Sequence, residues 1–298
     1  MATIAPERTE IDEPSSREPS HAVGARQSRG IWLHVALIAG VLVLIGPFVW
    51  MLLGSFKTTS ELRQLPPTFL PEDPTTDNYR ELWDRMNFPR LFFNSAVVAI
   101  AVTVGNIVFS SMLGYALAKL EFPGKRALFV LTLSTLMIPA FVTFTPLFVI
   151  VSKLGLVNTH AGLILPFLAG AFGVFLLRQY IGSSIPDELL DAARVDGAGE
   201  YRIFFRVVLP LCGPALATVG VLTFLATWNS FLWPLVVAST EDMYTLPVAL
   251  ALFSIGQQES NLGLQLAGSV VVVLPVLILF FAMQRYVIQG IASSGVKQ

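Results

Sequence analysis

Long apolar runs alternate with short polar stretches along this chain. A helix needs about 20 apolar residues to cross the hydrocarbon core of a bilayer. Six stretches meet that requirement: residues 31–53, and runs within 91–118, 127–151, 157–177, 211–237 and 262–284. None of these ranges contains Asp, Glu, Lys or Arg. A shorter apolar piece, MYTLPVALALFSI at 243–255, is interrupted by Thr245, Pro247 and Ser254. Its length suits a re-entrant or interfacial segment, expected to pack against the bundle as an extracytoplasmic loop element. The pattern predicts an all-α membrane protein with six transmembrane helices. Residues 1–29 are mostly polar, rich in Pro, Ser, Glu and Arg, and are expected to form a disordered cytoplasmic tail. They precede a transmembrane domain over 30–298. The apolar run after the tail is too long for a signal-peptide core, which has about 7–15 residues.

Composition agrees with a lipid solvent. The chain has 298 residues, 54% hydrophobic and only 13% charged, against about 25% charged in ordinary globular domains. Its net charge of -1 and the lack of a basic run give no footprint for nucleic acid. The single cysteine, Cys212, cannot form an internal disulfide, and it reads as a small apolar residue near a helix start. The three histidines, at 21, 34 and 160, are far apart and lack metal-ligand spacing, so no metal or cofactor is expected.

Charge sets the expected orientation. With six crossings, the tail, 119–126, 178–210 and the C-terminus share one side and hold thirteen Lys and Arg residues. The opposite loops hold six, five of them in the long 54–90 loop. The excess of basic residues marks the cytoplasmic side, which places both termini there, in a bacterial plasma membrane. The 54–90 loop is Pro-rich early and helical in pattern near 79–86. It is expected to fold on the outer surface, either to meet a partner or as a solvated cap.

Helix-disrupting residues recur in the spans at Gly46–Pro47, Pro139, Pro146, Pro166, Pro234 and Pro275. Such kinks suit a bundle that opens, and are also common in static ones. Gly105, Ser110, Ser111, Gly114 and Ala116 allow the second span to approach a neighbour closely.

One cytoplasmic segment is unlike a simple connection. Helix–helix links usually take about 2–8 residues, yet the stretch between the fourth and fifth spans is far longer. Ser184 and Asp187 are spaced as a capping box, with Pro186 in the first turn. Asp187, Glu188 and Asp191 suit the positive end of a helix dipole. Gly197 suits a left-handed cap. One short helix is therefore predicted over about 185–195. In a second, Tyr201, Phe204, Phe205 and Val208 recur at helical spacing and predict one apolar face. Leu209–Pro210 is expected to break that helix before the fifth span. Two readings fit: docking of a partner on small side chains at Ala192 and Ala193, or a hairpin lying on lipid headgroups.

At this segment the chain resembles the permease subunits of binding-protein-dependent ABC importers. Their cytoplasmic signature is Glu-Ala-Ala, three residues, Gly, nine residues, Ile, one residue, Leu-Pro. The matching positions are Asp191, Ala192, Ala193, Gly197, Val207, Leu209 and Pro210, with every spacing kept. Asp191 and Val207 depart conservatively from the pattern. GYALAKLEFPGKR at 114–126, TWNSFLWPLVV at 227–237 and QRYVIQGIASSGVK at 284–297 look like the second permease subunit of maltose-type carbohydrate importers, and the resemblance covers about 31–298. It implies a type I importer fold, with the signature as a coupling helix between helices 4 and 5 that sits in a cleft of a separate ATPase dimer. It also implies a second, homologous permease, an extracytoplasmic sugar-binding protein, and a secondary ATPase contact at Ser293–Gln298.

The chain itself lacks a G-x-x-x-x-G-K-[ST] loop. It is thus expected to be no enzyme and to need no cofactor, with ATP used by a partner. An ion-coupled transporter working alone is the alternative, and the absence of charge inside the spans counts against it. A membrane-embedded enzyme ranks last, because no paired carboxylates or nucleophile motif is present. Asn229, Trp233 and Thr143 are candidates for the translocation path. Asn94, Asn106, Thr145 and Ser230, with Trp228, are further polar or aromatic residues of the spans. Each can equally serve packing or an interhelical hydrogen bond. The absence of Arg and Lys within the spans argues against an anionic solute.

Overall fold

A computed structural model describes residues 23–255 and 261–295 of the chain. The chain divides into two units, Met1–Trp50 and Met51–Gln298. The described part of the first belongs to helix α1 (Val23–Gly54), which is long and apolar enough to cross a membrane over Trp32–Gly54. Helix begins at Val23, inside the stretch expected as tail. Residues 1–22 lie outside the described residues. Pro47 sits within α1 without ending it.

In the second unit the chain continues as α2 (Thr59–Leu62), α3 (Asp77–Arg85), α4 (Phe88–Lys119), α5 (Lys125–Leu136), α6 (Ala140–Lys153), α7 (His160–Ile164) and α8 (Ala171–Ser184). Then come α9 (Asp187–Val195), α10 (Glu200–Ile203), a π-turn (Phe204–Val208), α11 (Leu209–Leu211), α12 (Gly213–Trp228), α13 (Leu232–Val237), α14 (Leu246–Ile255) and α15 (Leu262–Gly295). The fold of the described residues is all-α, with three helices long and apolar enough to cross a membrane, α1, α4 and α15, and up to six spans if each of three bent helix pairs is one.

The bent pairs differ from straight crossings for physical reasons. The third predicted span turns by 104° between α5 and α6. Pro139 stands at that break as the N-cap of α6; proline drives the residue before it out of the helical region. The fourth bends by 41° between α7, with its 3₁₀ turn at Leu165–Phe167, and α8. The predicted fifth run, within 211–237, forms α12 and α13, and the signature helices over Glu200–Leu211 enter α12 at 81° at Cys212, which is buried at the N-cap of α12.

Helix α4 is the central element, packed between α8 and α12. Its small residues act as the sequence predicts. A Cβ at Gly114 would meet the Arg178 backbone nitrogen at 3.0 Å, and one at Gly105 would run into Leu168. Ser110 and Ser111 are buried. Backbones at this distance leave no room for larger side chains, so α4 and α8 form one rigid pair.

The 54–90 loop is an ordered cap. Leu82 of α3 and Met86, which caps it, are buried with Leu91, Trp228, Leu246 and Leu264. Buried Lys57 and Glu61 stand 3.4 Å apart. Asn78 donates to the carbonyls of Ser55 (2.9 Å) and Lys57 (2.8 Å). The 243–255 segment forms α14, which packs on α4 and α15 with Leu246, Val248 and Ala249 fully buried. That burial explains its apolar composition without a lipid-facing surface.

Candidate functional site

The signature segment folds as two short helices joined at Gly197. Helix α9 starts after Pro186, which is its N-cap; Ser184 closes α8 instead, and no side-chain cap bond forms. The predicted capping box is therefore absent, because the chain turns extended at Ile185 and Pro186. The C-terminal signal holds. Gly197 has φ +77°, its N–H bonds to the Arg194 carbonyl at 2.9 Å, and the Ala198 N–H bonds to the Ala193 carbonyl at 3.0 Å. This is a Schellman closure, whose left-handed residue favours glycine.

The second helix does not keep the predicted apolar face. Ile203, Phe204 and Val208 are buried, while Tyr201 and Phe205 are exposed. A π-turn over Phe204–Val208 shifts the register: the Leu209 N–H reaches the Phe204 carbonyl, five residues back. The wider turn has a local cause. Pro210 has no N–H and its ring would crowd the carbonyl four residues earlier in an α-helix. Leu209–Pro210 thus continues the helix, which breaks at Cys212.

Buried side chains anchor this segment. Ile185, Leu190, Ile203, Phe204 and Val208 join Tyr115, Leu177 and Ile181 in one core, with Ala193, Val207 and Leu209 packed at its edge. Polar contacts add direction. The Tyr115 hydroxyl of α4 donates to Glu200 at 2.5 Å. Arg194 donates to Glu200 at 2.9 Å and to Asp191 at 2.8 Å. Lys119, at the end of α4, donates to the Ile185 carbonyl at 2.6 Å and to Asp187 at 2.7 Å. The Lys119 ammonium holds the Asp187 carboxyl below its ordinary range, and the Arg194 guanidinium does the same for Glu200. Asp191 therefore has a partner within its own helix, at the spacing where helical side chains meet.

Outward, α9 presents Leu189, Ala192 and Val195, every third residue, with Val195 88% exposed. Asp191, Gly197 and, in α11, Pro210 are also exposed. Lys119, Tyr115, Arg194 and Glu200 were not singled out from sequence. Tyr115 and Glu200 are 85 positions apart, and nothing local announces that bond.

The polar residues of the spans separate into two groups. Asn94 is fully buried, donates to the carbonyls of Asp242 (2.7 Å) and Tyr244 (3.0 Å), and pairs with His160 at 3.0 Å. It ties a loop to α4. Trp228 is buried among Phe92 and Phe224 and donates to the Val272 carbonyl; it is packing. Asn229 bonds back to Leu225 at 2.8 Å and lines neither of the two cavities described next.

Those cavities meet at Trp233. One, of about 480 Å³, lies between α4, α7, α8, α12 and α13 and is lined by Asn106, Gly170, Thr223, Thr227, Ser230 and apolar neighbours. The other, about 450 Å³, is lined by Thr143, Phe144 and Phe231 among others. Phe167, Ser230 and Trp233 border both. Trp233 is held edge-on against Phe144 and Phe167, both at 5.6 Å, and its indole N–H bonds to the Gly162 carbonyl. Thr143 donates to the Ala140 carbonyl at 2.9 Å, so its hydroxyl is engaged within its own helix. No charged side chain lines either cavity. Among the described residues no cluster of His, Cys, Asp and Glu could hold a metal.

Among the described residues, bent apolar helices are interrupted by the two-helix insertion of α9 and α10. Residues 106–293 match the family model described as binding-protein-dependent transport system inner membrane component, and the chain belongs to that family. It is 42% identical over 258 residues to the arabinooligosaccharides transport system permease protein AraQ of Halalkalibacterium halodurans, covering 86% of this chain and 92% of that protein. It is 36% identical over 265 residues to the diacetylchitobiose uptake system permease protein NgcG of Streptomyces coelicolor, covering 88% and 87%. Among solved structures it resembles a bacterial ABC transporter involved in the import of the acidic polysaccharide alginate, with a TM-score of 0.80 at 25% identity, over 91% of this chain and 100% of that one. Membership of this family sets the ion-coupled alternative aside.

Proposed function

We propose that the chain is the permease subunit of an importer for neutral carbohydrates, powered by ATPase subunits that dock on α9. The carrying observation is the construction of α9: an apolar outward stripe on a helix whose opposite side is locked to α4 through Leu190, Arg194, Glu200 and Tyr115. A helix held this way passes a push from a partner directly to the central span. In this reading Asp191, Ala192, Ala193 and Gly197 form the contact, while Val207, Leu209 and Pro210 shape its base. Both termini face the cytoplasm, a homologous second permease completes the pathway, and the binding protein meets the face bearing the 54–90 cap. Residues 1–22 of the proposed 1–29 tail, and 296–298 of the secondary ATPase contact, lie outside the described residues.

The named relatives support a sugar as cargo. The alginate transporter handles an acidic polymer, but the cavities here lack a basic residue to meet such a charge. ATP hydrolysis belongs to the partner. The chain is tested by reconstitution with a second permease, ATPase subunits and a sugar-binding protein. Binding-protein-stimulated ATP hydrolysis is expected. Uptake by this chain alone in liposomes, without ATP or partners, overturns the reading.

A further inference from the structure

Hydroxyls in apolar helices normally satisfy themselves on their own backbone, four residues back. Several here do so: Thr103 on Ala99 at 2.6 Å, Thr132 on Leu128 at 2.9 Å, and Ser269 on Gln265 at 2.8 Å. On α12, Thr218 donates to the Pro214 carbonyl at 3.0 Å. Thr223 and Thr227 of the same helix make no such bond among the described residues, and both face the 480 Å³ cavity. Their spacing of four puts them on one side of the helix.

Asn106 faces them from α4. It is only 7% exposed. Its carboxamide oxygen accepts from Ser110 at 3.1 Å, but its amide N–H₂ has no partner among the described residues. Gly170, which lines the cavity, has no side chain where that amide lies; a Cβ there would stand 2.7 Å from the Asn106 nitrogen. The fully enclosed side-chain polar atoms left without a partner among the described residues are Glu61 Oε2 and Thr245 Oγ1, so the Asn106 amide nitrogen is not sealed off and can donate to what enters the cavity it lines. Three polar groups from two helices thus converge, unpaired, on one space between the aromatic walls of Phe167, Phe172 and Trp233.

We infer that this cavity is a carbohydrate-recognition subsite belonging to this subunit, in which Asn106 donates to, and Thr223 and Thr227 exchange hydrogen bonds with, the hydroxyls of a neutral oligosaccharide. The volume lies within the usual range for small-molecule sites, about 300–1,000 Å³. The aromatic walls suit the apolar C–H face of a sugar ring. This inference rests on the importer reading above.

The test uses the complete transporter in proteoliposomes with its binding protein. Arabinooligosaccharides, diacetylchitobiose and lactose are the neutral probes, and an alginate oligosaccharide is the acidic one. Sugar uptake and stimulated ATP hydrolysis are measured together. The double variant Thr223→Val/Thr227→Val keeps side-chain volume and removes both hydroxyls. It is expected to lower uptake about tenfold while stimulated ATP hydrolysis stays near wild type, because two hydrogen bonds to the sugar are lost. Asn106→Asp is expected to behave similarly, and Thr223→Ser/Thr227→Ser to restore uptake. Unchanged uptake in the valine variant overturns the subsite. So does equal loss in the serine and valine variants, which marks a structural role, or a wild-type preference for the acidic probe. If the wild-type complex shows no stimulated ATP hydrolysis, the importer reading itself fails, and the subsite with it.

Discussion

The α9–α11 segment and the cavity under Trp233 treat polar groups in opposite ways. In the first, Asp187, Asp191, Arg194 and Glu200 each have a partner, and the bonds run from α9 through Glu200 of α10 to Tyr115 of α4, and directly from Lys119 of α4 to Asp187 of α9. In the second, Asn106, Thr223 and Thr227 leave donors open in a space without a titratable side chain. A closed network transmits force because its parts cannot move separately. An open one awaits a ligand. Helix α4 belongs to both regions, with Asn106 and Tyr115 on the same rigid rod.

This contrast makes predictions that differ in kind. The largest effect is expected for Gly197→Leu, which forces a branched side chain into φ +77°. The left-handed conformation costs about 1–2 kcal/mol for such a residue, a factor of about 5–30 in population. Stimulated ATP hydrolysis and uptake should fall together, whereas membrane insertion should not change. Cavity variants instead separate the two readouts, so wild-type coupling in this glycine variant would break the comparison.

A smaller effect is expected for Tyr115→Phe, which removes one bond between α4 and α10 and leaves the ring packed near Phe204. A hydrogen bond to a charged group contributes about 1.5–3 kcal/mol, but Glu200 keeps Arg194, so the loss should sit near or below the lower end. Both readouts should fall in parallel by a few-fold. A change in sugar preference would show that the network reaches into recognition.

The smallest effect concerns pH. Asp187 and Glu200 have carboxyls lowered by Lys119 and Arg194. Stabilisation from such groups is present above the ordinary carboxylate value of about 4 and is lost as pH falls through the lowered values. Hydrogen-exchange protection of 187–211 should be constant from pH 8 to 5 and decline below about 4. Protection around Thr223 and Thr227 should not follow. The contribution is modest because Asp187 is largely exposed.

Much of this was readable along the chain, where a local rule governs. Gly197 is a glycine at a helix end and adopts the left-handed cap. The small residues of 105–116 do lie where α8 approaches. The face of the second short helix was not readable, because Tyr201 and Phe205 obey α periodicity in sequence while the stripe that is buried runs through Ile203, Phe204 and Val208. The third span counts as one apolar run, yet it bends by 104° at Pro139. The candidate path also shifted in emphasis: Thr143 and Asn229 bond to their own helices, while Thr223 and Thr227, which carry the same chemistry, stand open.

The sequence by itself determined the number of apolar spans, the family signature and the turn at Gly197, since each depends on length, spacing or one residue's backbone freedom. Only the tertiary structure decided which polar side chains are satisfied. That depends on groups far apart in sequence, such as Tyr115 with Glu200 or Asn106 with Gly170, and a hydrogen bond forms or fails over a fraction of an ångström that no residue type encodes alone.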